Sequence, residues 1–155
     1  MGAYSPLVPS YNTTRYAQPT IQSATPTAWT TGNSPITLWT VTGTIRILNV
    51  YGKVGATAFT STAGTGTLAI GIAASTGQFL AATTANGTTN FIANATWIDT
   101  TPALTSEILP TAVHTIHSGN IILTIATNSM TAGAVNLYID WVPVSAGATV
   151  VSGSP

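Results

Sequence analysis

The side chains that could do acid–base or metal chemistry in this sequence are few, and their spacing is unfavourable for catalysis. The two histidines, His114 and His117, are three residues apart. On a β-strand this spacing directs them to opposite faces, whereas a bend would let them converge on one metal ion. The carboxylates are Asp99, Glu107 and Asp140, and nothing in their spacing favours the pair that flanks one glycosidic bond in a glycosidase. We therefore expect no metal ion, no cofactor and no catalytic residue.

Hydroxyl side chains are abundant, but their surroundings lack the features of an activated nucleophile. The stretch GTGTLAIG, residues 64–71, lacks the lysine of a phosphate-binding loop. Neither this stretch nor STGQ, residues 75–78, has the context of a nucleophile elbow or a nearby acid for a catalytic triad. The sequence therefore predicts that the protein is not an enzyme.

Charge is nearly absent from the chain, and this excludes several classes of partner. Lys and Arg together number 3, Asp and Glu number 3, and charged residues make up 4% of the sequence, against about 25% in ordinary soluble proteins. So few basic side chains cannot provide the positive surface that a phosphate backbone requires, so we expect no direct nucleic-acid binding. The sequence has no polybasic cluster and no apolar run of about 18 residues, so we expect no membrane association. With 0 cysteines, the chain fits synthesis in a reducing cytoplasm.

The surface of this chain must be polar without being charged. The sequence contains 31 Thr, 12 Ser and 14 Gly, which supply hydroxyl groups in place of ions. Thr also favours strands, because its branched Cβ packs well on a pleated sheet. A monomer of zero net charge has little colloidal repulsion. We therefore expect its surface to be covered by neutral polar groups, assembled against partners, or both.

The first 35 residues differ from the rest of the chain. They contain five of the 9 prolines and show no apolar period, and proline favours extended geometry in the residue before it. We interpret residues 1–35 as an extended arm, with a disordered leader as the alternative. Large aromatic rings gain by covering a surface, so we expect the four aromatic residues of the arm to lie in an interface: Tyr4, Tyr11, Tyr16 and Trp29.

From Ile36 onward, apolar and polar residues alternate with the period of two that is typical of β-strands. About eight short strands separated by turn residues predict an all-β fold, either an antiparallel β-sandwich or a jelly roll. Asn86-Gly87 is the strongest hairpin signal, because both residues tolerate the positive φ of a type I′ turn. We place the sandwich domain at residues 36–144 and a C-terminal tail at residues 145–155. The predicted strands are 36–51, 54–60, 67–73, 79–84, 90–98, 111–117, 120–127 and 134–142.

Alternation assigns the side chains of the longest strands to two faces. Ile45, Ile47 and Tyr51 belong to an apolar inner face, and Arg46 points outward with the neighbouring threonines. By the same alternation Asp140 points outward from the last strand. We expect Arg46 and Asp140 to form an ion pair at an interface, across neighbouring strands or between subunits, because a guanidinium can hold a carboxylate in two hydrogen bonds. The residues expected in the core include Trp39, Trp97, Val135, Leu137, Ile139 and Trp141.

Two stretches resemble segments of a known protein family. LWTVTGTIRILNVYGKV, residues 38–54, and AVNLYIDWVPVSAGATVV, residues 134–151, are similar to the corresponding segments of small β-rich virion proteins of tailed bacteriophages. In that family an early strand has an aromatic-T-V-T-G-apolar run, and the last strand ends in an aromatic-x-P-apolar pattern followed by Gly-Ala-x-Val. The resemblance implies a structural role in the virion, often at the head, and it implies no catalytic residues.

This resemblance and the charge-poor composition together lead us to expect a capsid decoration, or cement, protein. Such a protein would be made in the host cytoplasm, form a homotrimer, bind the major capsid protein across capsomer boundaries and lie on the capsid surface of the virion. The first alternative is a tail, collar or fibre component that binds host surface glycans, and a polysaccharide hydrolase is the second. A major shell subunit with a single jelly roll is a further alternative, against which the tailed-phage resemblance argues.

Overall fold

The computed structural model describes residues 22–24, 29–100, 102, 104 and 115–153, and these residues form an all-β structure. Two short 3₁₀ turns, Thr31–Asn33 and Thr62–Gly64, are the only helical elements among them, and no helix in this part of the chain is long and apolar enough to cross a membrane. The strands are β1 (Gln22–Ala24), β2 (Ile36–Thr42), β3 (Ile45–Val54), β4 (Thr60–Ser61), β5 (Thr67–Ile72), β6 (Ser75–Thr84), β7 (Thr96–Trp97), β8 (Thr115–His117), β9 (Ile121–Ala126), β10 (Met130–Ala132), β11 (Val135–Pro143) and β12 (Thr149–Ser152).

The strands form two five-stranded antiparallel sheets that share one core. The first sheet has the order β1-β11-β3-β7, with β8 also paired to β3, and the second has the order β12-β2-β9-β5-β6. Strands β4 and β10 form a separate two-stranded ribbon. The inward side chains of both sheets belong to a single apolar cluster, as in an antiparallel β-sandwich. The predicted fold class is confirmed.

A tight turn at Gly43-Thr44 carries the chain from the second sheet to the first. Gly43 has a φ of 73°, and a Cβ atom there would collide with Ser145 and crowd Ala148. The Thr44 N–H donates a hydrogen bond to Ser145 Oγ at 2.8 Å. The single strand predicted for residues 36–51 is therefore divided, and its two parts, β2 and β3, lie in different sheets.

A β-bulge at Leu48 reverses the inside and outside positions along β3. Ile45 and Ile47 are buried in the core as predicted. Ile47 and Asn49 pair with two consecutive residues of β11, which leaves Leu48 as the extra residue. Tyr51 consequently lies on the outer face, and its predicted place on the inner face is wrong. Beyond the bulge the inward positions are Val50, Gly52 and Val54.

Large aromatic rings fill one region of the core. The rings of Phe91 and Trp97 meet edge to face with their centroids 4.9 Å apart, and Trp97 Nε1 donates a hydrogen bond to Thr83 Oγ1 at 3.1 Å. Trp141 is half-buried and packs against the core from its rim. The remaining residues that the sequence placed in the core are fully buried: Trp39, Trp97, Val135, Leu137 and Ile139.

The sandwich begins earlier in the chain than predicted. Strand β1 pairs with β11, and Trp29 is 0% exposed, with its ring 5.5 Å from that of Phe59. The Met130 N–H donates to the Trp29 carbonyl at 3.0 Å, and the Ile125 N–H donates to Ser34 Oγ at 2.9 Å. The arm boundary at residue 35 is therefore wrong. The assignment of Trp29 to an interface is wrong as well, because its ring is enclosed by the core of its own chain.

The C-terminal segment is also part of the sandwich. Strand β12 pairs with β2 over Thr149–Ser152, and the Gly153 N–H donates to the Leu38 carbonyl at 2.7 Å. Ala148 joins the core. The predicted boundary between the sandwich domain and a C-terminal tail at residue 145 is therefore wrong, since β12 completes one edge of the second sheet.

Asn86 shapes its loop through its side chain rather than through a two-residue hairpin turn. Its Oδ1 atom accepts hydrogen bonds from the N–H groups of Thr88, Thr89 and Asn90 at 3.1, 2.9 and 3.0 Å, and Gly87 has a positive φ of 65°. The predicted type I′ turn is wrong, because an Asn side chain can cap several backbone N–H groups and so hold a longer loop. The strand predicted at residues 90–98 is correspondingly reduced to β7.

Candidate functional site on the outer faces of the sandwich

Four cross-strand pairs of β3 and β11 form the outer face of the first sheet. The bulge gives both strands the same outward phase, so these pairs alternate with the buried residues. We call this surface the charged face. It carries Arg46, Lys53 and Asp140, which are three of the four charged side chains that the structure describes, the fourth being Asp99. In order along the strands, the pairs are Lys53–Asn136, Tyr51–Tyr138, Asn49–Asp140 and Arg46–Val142.

Two stacked tyrosines lie near the middle of the charged face. The ring centroids of Tyr51 and Tyr138 are 4.9 Å apart and the ring planes are inclined by 10°. Burial raises the pKa of Tyr51, and the neighbouring Asp140 and Tyr138 raise it further. The Tyr51 phenol is therefore neutral at physiological pH, and its hydroxyl can donate and accept a hydrogen bond. Because the rings cover each other, this pair does not form the flat, coplanar platform on which a sugar ring stacks.

Asp140 is half-buried beside the tyrosine pair. Burial raises the pKa of its carboxyl, and a hydrogen bond with the Asn49 side chain opposes this by stabilising the ionised form. No described residue forms an ion pair with this carboxylate. Asp140 therefore presents a negative charge that is hydrogen-bonded but not neutralised within the described part of the chain.

The cation of Lys53 is engaged in holding the edge of the first sheet. Its Nζ atom donates to the carbonyl of Asn94 and to Thr96 Oγ1, the latter at 3.1 Å. These contacts attach the loop before β7, and β7 itself, to β3. Lys53 thus acts as a structural cation and is not directed toward solvent as a binding group.

Arg46, in contrast, is exposed within a small apolar patch. It lies between Val142 of β11 and Ile116 of β8, and Ile116 is 64% exposed. Arg46 points outward as predicted, but it forms no ion pair with any described residue. Asp140 lies on the same face, one cross-strand pair away, about 7 Å along β11. The two charges are therefore close neighbours that remain unpaired, and the alternative of a pair between subunits stays a prediction.

The outer face of the second sheet has a different character where β2 meets β12. Two cross-strand pairs lie there, Thr40 opposite Val151 and Thr42 opposite Thr149, and all four side chains are exposed. We call this surface the neutral face. Val151 is 59% exposed, and the threonines contribute methyl and hydroxyl groups without charge. Such a face can bury apolar area against a partner at little cost in desolvated charge.

The other residues that the sequence singled out are not brought together by the described structure. Tyr4, Tyr11 and Tyr16 lie outside the described residues, as do His114 and Glu107, and the interface role of the tyrosines stays a prediction. His117 follows the outward Ile116 in β8 and so points to the opposite side of its strand. Within the described residues no group of three or more His, Cys, Asp or Glu side chains is arranged to hold a metal ion.

Sequence reasoning missed the tyrosine pair and the adjoining Asn49. Strict alternation places Tyr51 inside, and only the structure shows the bulge that brings it opposite Tyr138. The sequence did contain one usable signal, since Tyr138 and Asp140 share an outward phase on the last strand. Asn49, Tyr51 and Lys53 occupy alternate positions of β3. They face the same side as Arg46 only because the bulge at Leu48 shifts the alternation by one residue.

Comparison of the chain with models of protein families, with curated proteins and with solved structures found no match.

Proposed function

We propose that this chain is a decoration protein of a tailed-bacteriophage capsid, which binds across capsomers and stabilises the head. The observation that carries the proposal is the position of the two family-like stretches. Residues 38–54 form β2 and β3, residues 134–151 form β11 and β12, and these strands pair with each other, β3 with β11 and β2 with β12. Two stretches with 79 residues between them in sequence thus form one continuous unit of the fold.

The turns of this unit support the interpretation of the two stretches as one structural module. The Val144 and Ser145 N–H groups both donate to the Thr44 carbonyl, at 2.9 and 3.1 Å, and Gly43 leaves space for Ser145 and Ala148. Gly43, at the end of β2, and residues 145–148, after β11, therefore form two turns that pack against each other. They let both segments cross between the sheets at the same place.

The proposed mechanism is adhesion through the neutral face. Each 100 Å² of apolar surface buried against the shell contributes on the order of 2.5 kcal/mol before ordering costs are subtracted. A decoration protein that bridges capsomers opposes their separation with this energy. Because no charge has to be desolvated or screened, we expect the binding to change little with ionic strength.

The N-terminal aromatic residues supply a second contact in this proposal. Tyr4, Tyr11 and Tyr16 precede β1, so a chain that lacks residues 1–21 keeps β1, Trp29 and the whole described sandwich. We expect this truncated protein to fold with the thermal stability of the full chain and to occupy fewer sites on the head. If it saturates heads as the full chain does, the tyrosines are not a capsid contact.

The copy number of the chain in purified virions tests the proposed function. Quantitative mass spectrometry against the major capsid protein should give on the order of hundreds of copies per particle, because a decoration site repeats with the symmetry of the shell. A few dozen copies or fewer would overturn the proposal in favour of a tail, collar or fibre component.

A glycan-binding tail component is the second candidate, and one observation favours it. Asn49 and Asp140 lie side by side next to the tyrosine pair, and their amide and carboxylate groups, with the tyrosine hydroxyls, can form hydrogen bonds with sugar hydroxyls without any ring stacking. A glycan array and a host-cell binding assay with the purified protein separate the two candidates. A glycan-binding component should give a signal that Tyr138→Ala abolishes, whereas a decoration protein should give no signal with either the wild type or this variant.

A further inference from the structure

We infer that the charged face is a self-association surface, on which two copies of the chain meet about a two-fold axis and Arg46 of each copy pairs with the partner's Asp140. The inference does not depend on capsid binding, since it concerns the purified chain alone and the face opposite to the proposed adhesive surface.

The first argument is charge complementarity within one face. Arg46 is exposed and Asp140 is half-buried, and neither forms an ion pair with a described residue. They lie on adjacent strands, one cross-strand pair apart. In a two-fold contact both copies use the same patch. Arg46 of one copy can therefore lie opposite Asp140 of the other, and Asp140 of the first copy opposite Arg46 of the second. One such contact forms two ion pairs.

The second argument is the apolar surface that surrounds these charges. Ile116, the cross-strand partner of Arg46 on β8, is 64% exposed, and Val142 is the partner of Arg46 on β11. A guanidinium set among aliphatic side chains is well suited to an interface, because it is weakly hydrated and forms bidentate bonds with a carboxylate. The stacked Tyr51 and Tyr138 extend this surface on the other side of Asp140.

The third argument is the cost that Asp140 bears in the isolated chain. Its carboxyl is partly removed from water, and among the described residues only Asn49 compensates it with a hydrogen bond. A guanidinium from a second copy would add the opposite charge that the site lacks. Lys53 is on the same face, but its Nζ is already held by Asn94 and Thr96, so Arg46 is the cation of this face that remains available.

The size of the face sets the strength of the contact. The four cross-strand pairs are about 6.8 Å apart along the strands, and the first sheet is four strands wide at about 4.8 Å per strand, so its outer face measures about 27 by 19 Å, or roughly 500 Å² per copy. This is at the small end of specific interfaces, so we expect a weak, concentration-dependent dimer. The two-fold geometry also differs from the cyclic contact of a trimer, in which two different patches of the subunit would meet.

The test uses two charge-reversal variants, Arg46→Asp and Asp140→Arg, measured by sedimentation equilibrium at about 0.15 M salt. Each variant alone would oppose like charges in both pairs, so we expect its dimer to be weakened about 100-fold or more relative to the wild-type dimer. An equimolar mixture should restore a 1:1 dimer. In that dimer the introduced aspartate meets the introduced arginine, and the native Arg46 of one copy meets the native Asp140 of the other. An ion pair within one chain predicts no effect of mixing.

A matched control separates the specific pairing from attraction between opposite net charges. Thr40→Asp/Thr42→Asp and Thr40→Arg/Thr42→Arg change the net charge by the same two units on the neutral face, and each should dimerise as the wild type does. In a mixture of Arg46→Asp with Thr40→Arg/Thr42→Arg the net charges are opposite, but a 1:1 heterodimer would retain one like-charge contact. Arg46→Asp should therefore remain monomeric in that mixture, while Thr40→Arg/Thr42→Arg forms its own homodimer. Near-UV circular dichroism confirms folding of each variant, and Asp140→Lys replaces Asp140→Arg if the latter does not fold.

The inference is overturned if the wild-type chain remains monomeric at millimolar concentration, if either reversal variant dimerises as the wild type does, or if the equimolar mixture remains monomeric. A trimer in the wild-type chain would also overturn it. None of these outcomes bears on the copy number in virions, so the proposed function stands or falls separately.

Discussion

The two outer faces of the sandwich are formed by the same two stretches of chain, yet they differ in the chemistry available for binding. Residues 38–54 and 134–151 each contribute one strand to each sheet. The β3–β11 surface carries three charged side chains, whereas the exposed side chains of β2 and β12 are threonine, valine and serine, none of which is charged. The difference shows that the few charges of the described chain are concentrated on one side. Binding through the charged face should weaken with salt, and binding through the neutral face should not.

This asymmetry is a consequence of register. Gly43-Thr44 ends β2 and starts β3 in the other sheet, so the threonines before the turn and the charged residues after it are exposed on opposite sides of the molecule. The bulge at Leu48 then adds Tyr51 and Lys53 to the outward phase of Arg46. Without that extra residue these two side chains would point into the core, where a lysine would be left without its partners.

Both outer faces depend on a stable sandwich. The largest expected effect of a substitution on the free energy of unfolding is in its N-terminal part, at Trp29. Trp29→Ala should lower the free energy of unfolding by about 3–5 kcal/mol, because it removes a large buried ring and leaves a cavity. Urea denaturation measures this effect, with Thr40→Ala on the neutral face as the control, expected within about 0.5 kcal/mol of the wild type. Equal midpoints for Trp29→Ala and the wild type would show that residues 29–35 are not part of the core.

The stacked tyrosines give the charged face a local stability that the neutral face lacks. A double-mutant cycle with Tyr51→Ala and Tyr138→Ala should give a coupling energy of about 0.5–1.5 kcal/mol, as for other aromatic pairs. The matching cycle on the neutral face, Thr40→Ala with Val151→Ala, should give less than about 0.5 kcal/mol. Equal coupling energies in chemical denaturation would remove this difference between the faces.

The smallest expected effect is a pH dependence that arises on the charged face alone. Because burial raises the pKa of Asp140 in the folded chain, the folded state binds the proton more tightly than the unfolded state does. The stabilisation is therefore fully present below the unfolded pKa, near 4, and is lost as pH rises through the folded pKa. Relative to Asp140→Asn, the wild type should be more stable at pH 3 than at pH 7 in thermal melts of dilute protein. The opposite sign would mean that a cation holds Asp140 in the folded chain.

Much of the fold follows from the sequence where alternation is regular. Strands β5, β9 and β11 lie close to their predicted positions, and Ile45, Ile47, Leu137 and Ile139 are inward as their phase predicts. The prediction failed where one residue changes the phase or where pairing is not local. Leu48 is an ordinary strand residue by composition, so nothing in its type marks the bulge. Short β12 has no apolar period of its own, and it forms because the edge of β2 is available for pairing.

The candidate site was only partly visible in the sequence for the same reasons. Arg46 and Asp140 stand out because charge is rare here, and their outward phase is confirmed. That they share a face could be predicted, but that they lie one cross-strand pair apart depends on the bulge. Trp29 was misassigned, because an aromatic residue in a proline-rich segment has no periodic neighbours that indicate burial. Its contacts with Phe59 and Met130 come from distant parts of the chain.

Whether the neutral face is the adhesive surface of a decoration protein can be decided by measuring how face-specific variants occupy heads. Heads stripped of the chain are incubated with wild type, with Thr40→Asp/Thr42→Asp or with Arg46→Asp, and bound protein is quantified per particle. We predict that Arg46→Asp fills the heads as the wild type does and that Thr40→Asp/Thr42→Asp leaves most sites empty. Saturation of heads by Thr40→Asp/Thr42→Asp at the wild-type concentration would contradict adhesion through the neutral face.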